Sequence, residues 1–580
     1  MQLQAVNQDS TIHSLHKCDI FPLLGHLMRW TQSKGSVPSY PKPRLAVLLA
    51  SESVNEKSMG VHQALEMYGL REANASHSFR IRKVKCDEGK PFCNRCVSTG
   101  RKCDGYSSPP TSRTPSPKVT AIVERPHLFK STAERRSFSF FQTKASTQLA
   151  GQFHVLFWSN EVLQAAIHYP SVRHLVIALG SAYEWFESGG SAVVRAGDSG
   201  PRIQFAMQQC NHAIRYMDDV FQSQATAGQT IERTCCILTA SILFAYLACL
   251  QGNIPQAIQH VRSGLKVLQD LELSGQFEGV RSPPYPVPVL RLRTLLISIY
   301  GQVRTMMNDE SLQKWHQDPL VSHLEPVSYF MSVDEAHGYV ERLFHNLQAF
   351  LQASERTPPR TSEELAAFMA RWSHLRSALK DSCEALDLLA ARQQAGNAEG
   401  SESKGVLILR IYHILIDIRL EIDPLKPAKR ESAFDNLQDR LEKILAFCEQ
   451  LVNDDGTDWT RPSCSSGLGI VLPLHTVAAR CRNPRFRRRA LDLLLSIDRR
   501  ECLWDSRLTG RIATKTMEME EQAHSMALAY QADEQAKILA DARVREVKVE
   551  FTEERKVLLQ YITVRDYMTG ERGTRHVIEW

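Results

Sequence analysis

The segment at residues 79–106, FRIRKVKCDEGKPFCNRCVSTGRKCDGY, has cysteines at positions 86, 93, 96 and 103. Four of the chain's 14 cysteines therefore lie within 18 residues, at the spacing Cys-x6-Cys-x2-Cys-x6-Cys. Thiolates two residues apart, here Cys93 and Cys96, can bind one Zn(II) from a single turn, and flanking cysteines can complete the tetrahedron. The spacing predicts a small zinc module with Cys86, Cys93, Cys96 and Cys103 as its metal ligands.

The same segment carries almost all of the chain's excess charge. Residues 80–106 contain eight Lys or Arg against Asp87, Glu88 and Asp104, a local charge of +5 in a chain whose total is +6. A concentrated positive charge of this kind predicts contact with a polyanion. The basic positions are Arg80, Arg82, Lys83, Lys85, Lys90, Arg95, Arg101 and Lys102.

Composition divides the chain into four parts. Residues 1–75 mix polar residues with short apolar patches and no sustained period, which predicts little stable structure. The zinc module is assigned to 76–106, and 107–130 is read as a linker because it begins SSPPTSRTPSPK. Residues 131–580 show helical periodicity that we expect to continue to about residue 560, and they are assigned to one large all-α domain.

The predicted fold class is therefore mostly α: a cysteine-rich module, a Pro/Ser linker and a large helical domain. The sequence STAE from Ser131 is a capping-box match, and Ser171 is a candidate N-cap before the apolar stripe of VRHLVIAL. The further predicted helices are 203–221, 231–250, 255–272, 288–306, 333–353, 362–394, 405–421, 433–452, 486–499 and 510–546.

The longest apolar run, CCILTASILFAYLACL at 235–250, has 16 residues. A membrane-spanning helix needs roughly 20, so this run is read as a buried helix of a protein without a membrane partner. The N-terminus lacks the basic start and apolar stretch of a secretory signal, which predicts an intracellular chain with reduced thiols.

The segment RIRKVKCDEGKPFCNRCVSTGRKCDGY resembles the second and larger part of the fungal binuclear zinc cluster, the Zn(2)-Cys(6) type, of transcription factors. The basic run before Cys86, the Lys-Pro pair before Cys93 and both six-residue gaps carry the resemblance. Six cysteines hold two zinc ions in that family, and the first and fourth bridge both ions. The resemblance makes Cys86, Cys93, Cys96 and Cys103 the third to sixth ligands.

The family's first two cysteines correspond to positions 76 and 79, where this chain has Ser76 and Phe79. One of the two zinc ions would keep only Cys86 and Cys93, and two thiolates do not make a stable structural site. We therefore expect at most one zinc in the chain as written, against two in the intact family module. Agreement with the family begins abruptly at Arg80, which favours a misjoined transcript over gradual loss of ligands.

The resemblance also implies double-stranded DNA as the partner. In the family a short helix after the second cysteine enters the major groove beside a CGG triplet. Transferred by position, Arg82 and Lys83 are the candidates for guanine O6 and N7. Phosphate contacts, which give affinity without sequence information, are assigned to Arg80, Lys85, Lys90, Arg95, Arg101 and Lys102.

The helical region resembles the regulatory region that follows the cluster in many fungal factors of this class. The stretches STAERRSFSFFQTKASTQLAGQF and QGNIPQAIQHVRSGLKVL carry this weaker likeness. It implies co-regulators, or a second copy of the chain, as partners of the helical domain. A coiled-coil dimer is not predicted, because residues 131–149 lack apolar heptads, and no ligand pocket is assigned.

Three functions compete at this stage. The first is a nuclear, zinc-dependent, sequence-specific transcription factor that regulates RNA polymerase II transcription. The second is a helical interaction protein whose degenerate cluster no longer binds DNA. The third, a zinc hydrolase, is disfavoured because an all-thiolate site leaves no open position for water, so the chain is predicted not to be an enzyme.

Overall fold

Apolar residues recur at helical spacing along most of the chain, and helices form where they do. The structure, a computed structural model, describes residues 128–189, 200–222, 227–274, 285–306, 321, 323–396, 402–453, 458–553 and 556–579.

The α-helices of the described residues are numbered along the chain and differ in length. They are α1 Thr132–Phe140, α2 Ser146–Ala150, α3 Val162–His168, α4 Pro170–Glu187, α5 Pro201–Gln222, α6 Ala227–Gln251, α7 Ile254–Leu273, α8 Val289–Met306, α9 Val333–Arg356, α10 Ser362–Gly396, α11 Lys404–Glu421, α12 Arg430–Ala433, α13 Gln438–Asn453, α14 Val471–Arg480, α15 Pro484–Ser496, α16 Ser506–Ala527, α17 Ala532–Asp541 and α18 Val564–Thr569. Short π-helical turns follow α1 and precede α3, at Phe141–Ala145 and Phe157–Glu161, and 3₁₀ turns flank α12, at Pro427–Lys429 and Phe434–Leu437.

Six strands form two separate three-stranded sheets. They are β1 Ser463–Ser465, β2 Arg499–Glu501, β3 Trp504–Asp505, β4 Val544–Glu553, β5 Lys556–Thr563 and β6 Thr574–Glu579. In the first sheet β2 pairs parallel with β1 and antiparallel with β3. The second is an antiparallel meander with β5 in the middle.

The mostly helical class is confirmed, and each of the ten predicted segments from 203 onward overlaps an observed helix. The prediction at 510–546 is wrong at its end: the segment divides into α16 and α17, and from Val544 the chain is strand. The helix α14 was not predicted. Val547, Val549 and Phe551 alternate with charged residues in β4 and pack on a small core formed by Leu559 and Tyr561 among others.

Of the two capping predictions at the first helices, the one at Ser131 is half correct and the one at Ser171 is wrong. Ser131 caps α1, since its hydroxyl accepts from the Glu134 backbone N–H at 3.1 Å. The capping box at Ser131 is incomplete, because the Glu134 carboxylate accepts the backbone N–H of Lys130. Ser171 does not cap α4, which begins one residue earlier at Pro170 with a fixed φ suited to the first helical position. The predicted apolar stripe of α4 is buried as expected at Val172, Leu175, Val176 and Leu179.

Helix α1 crosses α4 at Gly180 of α4. A Cβ at this position would lie 2.1 Å from the Ser137 carbonyl oxygen, so no other residue allows this approach.

Helix α6 is the buried centre of the first half of the described chain. Every side chain from Cys235 to Leu250 is buried, against α4, α7 and α8. The stretch Ile231–Gln251 is long and apolar enough to cross a membrane, but 83% of an apolar 18-residue segment within it is buried inside the protein. This pattern is that of a core helix of a folded domain, as the sequence predicted.

The second half has its own continuous core. Helices α9, α10 and α11 pack against one another, and α13 to α16 join them through apolar side chains such as Leu343, Leu409, Leu441 and Leu474. The apolar burial in this cluster is the main source of its stability.

Buried polar contacts join the two halves at β1. The Trp158 indole N–H donates to the Ser466 hydroxyl at 2.8 Å, and the Cys464 backbone N–H donates to the Tyr183 hydroxyl at 2.9 Å. These bonds join residues about 300 positions apart in sequence and satisfy polar groups that would otherwise be buried without partners.

Arg500 of β2 is the central buried charge of this junction. Its Nε donates to Asp505 Oδ2 at 2.9 Å, and its Nη1 donates to the carbonyls of Cys249 and Leu250 at 2.8 and 3.1 Å. Those carbonyls belong to the last turn of α6, whose backbone acceptors lack intrahelical donors. Asp505 Oδ1 in turn accepts the backbone N–H of Leu508 and so caps α16.

Candidate functional site

The predicted metal ligands and DNA-contacting residues all lie outside the residues that the structure describes. This applies to the four cysteines at 86, 93, 96 and 103 and to the basic residues at 80, 82, 83, 85, 90 and 95. Their roles therefore stay predictions.

The helical domain contains a cavity of about 270 Å³ beside β4. Helices α8, α9, α11 and α14 contribute walls, and apolar side chains such as Leu351, Ile422, Leu472 and Trp504 line part of it. Five arginines and three carboxylates also line it: Arg304, Arg419, Arg430, Arg480, Arg545, Glu355, Asp423 and Glu546. The cavity thus combines an apolar wall with an excess of positive charge.

Three of the arginines are held in place by hydrogen bonds. Arg480, the last residue of α14, donates to the carbonyls of Val544 and Arg545 at 2.7 and 3.0 Å. Arg430 and Arg545 both donate to Glu355 Oε1, at 2.8 and 2.9 Å. These bonds fix β4 against α9, α12 and α14, so this wall of the cavity is rigid.

Arg419 is different, because its side chain makes no hydrogen bond or ion pair with any residue in the described part of the chain. It is half-buried near the end of α11. Burial, and next the charges of Arg430 and Arg480, lower the pKa of Arg419 to about 10. The guanidinium therefore lies where burial and two neighbouring arginines disfavour its charge, and the carboxylates of Glu431 and Glu355 offset this only in part.

The charge of Glu431 raises the pKa of Arg419, but Glu431 forms its ion pairs with two other arginines. Its carboxylate is buried beside the cavity, 3.4 Å from Arg430 Nε and 3.3 Å from Arg480 Nε, and neither oxygen accepts a hydrogen bond. Two cations already share this one carboxylate. An anionic group entering the cavity could accept hydrogen bonds from Arg419, while an apolar body would meet Leu351 and Ile422.

Sequence reasoning assigned no pocket here. The arginines at 419, 430, 480 and 545 come from four different elements, and nothing in their local sequence distinguishes them from surface arginines. Only folding brings them together, so the sequence contains no local signal for the site.

A family model described as "Fungal Zn(2)-Cys(6) binuclear cluster domain" matches residues 80–113. The match contains Cys86, Cys93, Cys96 and Cys103 and begins after positions 76 and 79.

Two curated relatives extend the comparison. The "Aspercryptin biosynthesis cluster-specific transcription regulator atnN" of Emericella nidulans is 25% identical over 605 aligned residues, which cover 85% of this chain and 94% of the relative. The "Transcription regulator lscL" of Purpureocillium lilacinum is 32% identical over 206 residues, covering 33% of this chain and 48% of the relative. No solved structure matches the chain.

The match at 80–113 and the two relatives, both named transcription regulators, support a transcription factor of the fungal Zn(2)-Cys(6) type, with the zinc cluster module before a large helical region.

Proposed function

We propose that the protein is a nuclear, zinc-dependent transcription factor that reads CGG-type DNA sites through the basic run before Cys86 and regulates RNA polymerase II transcription. The observation that carries the proposal is the family match at 80–113, which contains all four clustered cysteines and the basic residues. No catalytic role is proposed for any residue.

The donor set fits one zinc ion but not two. Cys86, Cys93, Cys96 and Cys103 supply four thiolates, enough for a tetrahedral structural site, whereas the binuclear cluster needs six. When bound, zinc folds the module by linking these thiolates. In this fold Arg82 and Lys83 would contact guanine edges. Arg80, Lys85, Lys90 and Arg95 would neutralise phosphates, which makes the affinity depend steeply on salt.

The first test uses the full chain with Ser76→Cys and Phe79→Cys, loaded with zinc, against a CGG-containing duplex and a duplex with that triplet replaced. We expect preferential binding of the CGG duplex, measured by fluorescence anisotropy, that weakens strongly as salt rises. Equal binding of both duplexes at low salt by a chain carrying its full zinc would overturn the proposal.

Lys83→Ala in that chain is expected to lower affinity for the CGG duplex about 10-fold and to reduce the preference for CGG, because a base contact is lost. Lys102→Ala is the matched control. It removes a charge of the same type at a predicted phosphate contact, so affinity for both duplexes should fall equally. The same anisotropy titrations measure both effects, and equal behaviour of the two variants would contradict the assignment of Lys83.

We propose that residues 131–580 form the regulatory part of the protein, 107–130 its linker and 76–106 its DNA-binding module. Co-regulators or a second copy of the chain are the proposed partners of the helical part. The alternative, a helical interaction protein with a cluster that no longer binds DNA, gains support if the transcript itself encodes Ser76 and Phe79 and the six-cysteine chain shows no preference for CGG.

A second proposal concerns regulation of that function. We propose that the cavity beside β4 binds a small organic anion with an apolar body, and that its anionic group contacts Arg419. The specific observation is the unpartnered Arg419 guanidinium in a cavity that five arginines line. The volume of about 270 Å³ lies just below the roughly 300–1,000 Å³ usual for drug-sized ligands, which fits a small molecule.

Octanoate, with octan-1-ol as its uncharged counterpart, tests the cavity in the full chain. We expect octanoate, and not octan-1-ol, to raise the unfolding temperature in a concentration-dependent way. Arg419→Met should weaken octanoate binding by about 10- to 100-fold, because a charge-assisted hydrogen bond is lost. Arg440→Met, which removes an arginine paired with Asp417 outside the cavity lining, should leave binding unchanged. Equal effects of both ligands would reject the anion site.

A further inference from the structure

His154, His337 and Glu341 form a buried cluster that the DNA-binding function does not use. One nitrogen from each imidazole and one carboxylate oxygen lie within 4.8 Å of one another. The three residues are 7%, 2% and 4% exposed. His337 and Glu341 are four residues apart on α9 and therefore on one face of that helix, while His154 lies in the loop after α2.

Both histidines have an unsatisfied nitrogen. The Nε2 atoms of His154 and His337 are buried and accept or donate no hydrogen bond. A buried polar atom without a partner costs free energy, and native proteins contain few of them. Here two occur side by side, because the two rings meet edge to face with centroids 4.9 Å apart. A bound cation would satisfy both.

The protonation states of the two imidazoles suit metal binding, whereas burial raises the pKa of Glu341 to about 7, so a bound cation would favour loss of its proton. Burial, with a smaller contribution from the charge of Arg291, lowers the pKa of His154 to about 4. Burial likewise holds the pKa of His337 well below its usual value, and the His154 and His345 rings add to the effect. Both imidazoles are therefore neutral at pH 7, which is the ligating form.

The surroundings hold the three groups in place. The Phe153 ring stacks on His337 with centroids 4.0 Å apart. His154 has a left-handed backbone with φ of 58°, which is uncommon for a residue other than glycine. Ser298 donates to Glu341 Oε1 at 2.5 Å and orients the carboxylate, as partners of metal ligands commonly do.

We propose that His154, His337 and Glu341 bind one divalent transition-metal ion, with Zn(II) the best match. Two neutral imidazoles and a carboxylate are a donor set that Zn(II) favours. The ion would also compensate the charge of the buried Glu341. Tetrahedral Zn(II) with ligands at about 2.1 Å requires ligand atoms about 3.4 Å apart, so binding draws the three groups together by no more than about 1.4 Å.

The site is structural rather than catalytic. The cavity beside Glu341 has a volume of about 20 Å³, which is enough for one water but too small for a substrate. The ion would join the loop after α2 to α9, two segments that are far apart in sequence.

This site changes how a zinc analysis of the whole chain must be interpreted. The cysteine segment as written is expected to hold at most one ion. One further ion at the histidine site would give two zinc ions per chain, the number that an intact binuclear cluster holds. The total alone would therefore not distinguish a complete cluster from an incomplete one.

The test separates the two kinds of site in the full-length chain. In a variant with Cys86, Cys93, Cys96 and Cys103 all replaced by serine, we expect close to one zinc per chain by mass spectrometry of the metal after exhaustive dialysis. Co(II) substituted for that zinc should show ligand-field bands without the intense near-ultraviolet absorption of cobalt–thiolate bonds. A quadruple variant that retains no zinc while folded, judged by near-ultraviolet circular dichroism, would overturn the proposal.

The decisive histidine change is His337→Gln in that quadruple variant, with His260→Gln as control. His260 is also buried with an unsatisfied ring nitrogen, but it is not a member of the cluster and its ring stacks on Phe244. We expect His337→Gln to lose the zinc and His260→Gln to keep it. Zinc should also raise the unfolding temperature of the parent quadruple variant and not that of His337→Gln. Retention of zinc by both variants would show that the ion binds elsewhere and reject the site.

Discussion

Restoring cysteine at positions 76 and 79 together is expected to raise the affinity of the full chain for a CGG-containing duplex by about 1,000-fold at physiological salt. The estimate follows from the usual gap between specific and non-specific DNA binding, since we expect the chain as written to bind only through its charge. Completing six thiolates lets two zinc ions fold the module and present Arg82 and Lys83 together. Anisotropy titrations of both chains at one salt concentration measure the change.

The matched control replaces Ser76 and Phe79 with alanine, which changes the same positions without adding ligands. This chain should bind like the starting protein, and its thiolate-bound metal, read from Co(II) spectra, should not increase. If the chain as written already prefers the CGG duplex to the same extent as the six-cysteine form, four cysteines suffice. The interpretation of positions 76 and 79 as missing ligands would then be wrong.

Arg500→Met is expected to destabilise the helical domain by about 3–5 kcal/mol, the usual cost of removing one partner of a buried ion pair. The change leaves Asp505 buried without its cation and removes the Arg500 donor from the carbonyls of Cys249 and Leu250, of which Cys249 keeps the backbone N–H of Gly252. Both α6 and α16 lose a terminal contact, so the effect should reach both halves of the fold. Urea unfolding followed by circular dichroism gives the shift in midpoint.

Arg507→Met serves as the control for this change. Arg507 pairs with Asp498 at 2.7 Å, but its side chain is 48% exposed. An exposed pair contributes between about 0 and 1 kcal/mol, so this variant should unfold close to the wild type. An equally small shift in the unfolding midpoint for Arg500→Met would mean that solvent or neighbouring groups compensate the charge of Asp505. The central role of Arg500 in this junction would then be wrong.

The helical part of the fold was predictable because its signal is local. Runs such as VRHLVIAL in α4 place apolar residues at i, i+3, i+4 and i+7, and the residues of that stripe are buried. The strands after α17 were not predicted, because their signal is not local. VREVKVEFTE alternates with period two, but it is short, rich in charged residues and adjacent to a helix, and its pairing with β5 is a contact that only folding creates.

The candidate functional residues likewise divide into those with a local sequence signal and those without one. The predicted cysteine ligands are recognisable because the Cys-x6-Cys-x2-Cys-x6-Cys spacing is typical of a metal module. The histidine cluster joins His154 to residues of α9, and the cavity joins α11, α14 and β4. Neither of these two sites has a characteristic spacing in the sequence, since each is formed by elements that come together only in the folded chain.

The C-terminal sheet is translated late, so the arginine-lined cavity is completed only near the end of synthesis. Strand β4 supplies the Val544 and Arg545 carbonyls that hold Arg480, and it forms one wall of the arginine-lined cavity. The ribosome translates this strand some 440 residues after the last clustered cysteine. A nonsense allele that ends the protein after α17 would keep the predicted metal-binding segment and remove this wall of the cavity, so it would separate the proposed DNA-binding and ligand-binding functions in a single genetic lesion.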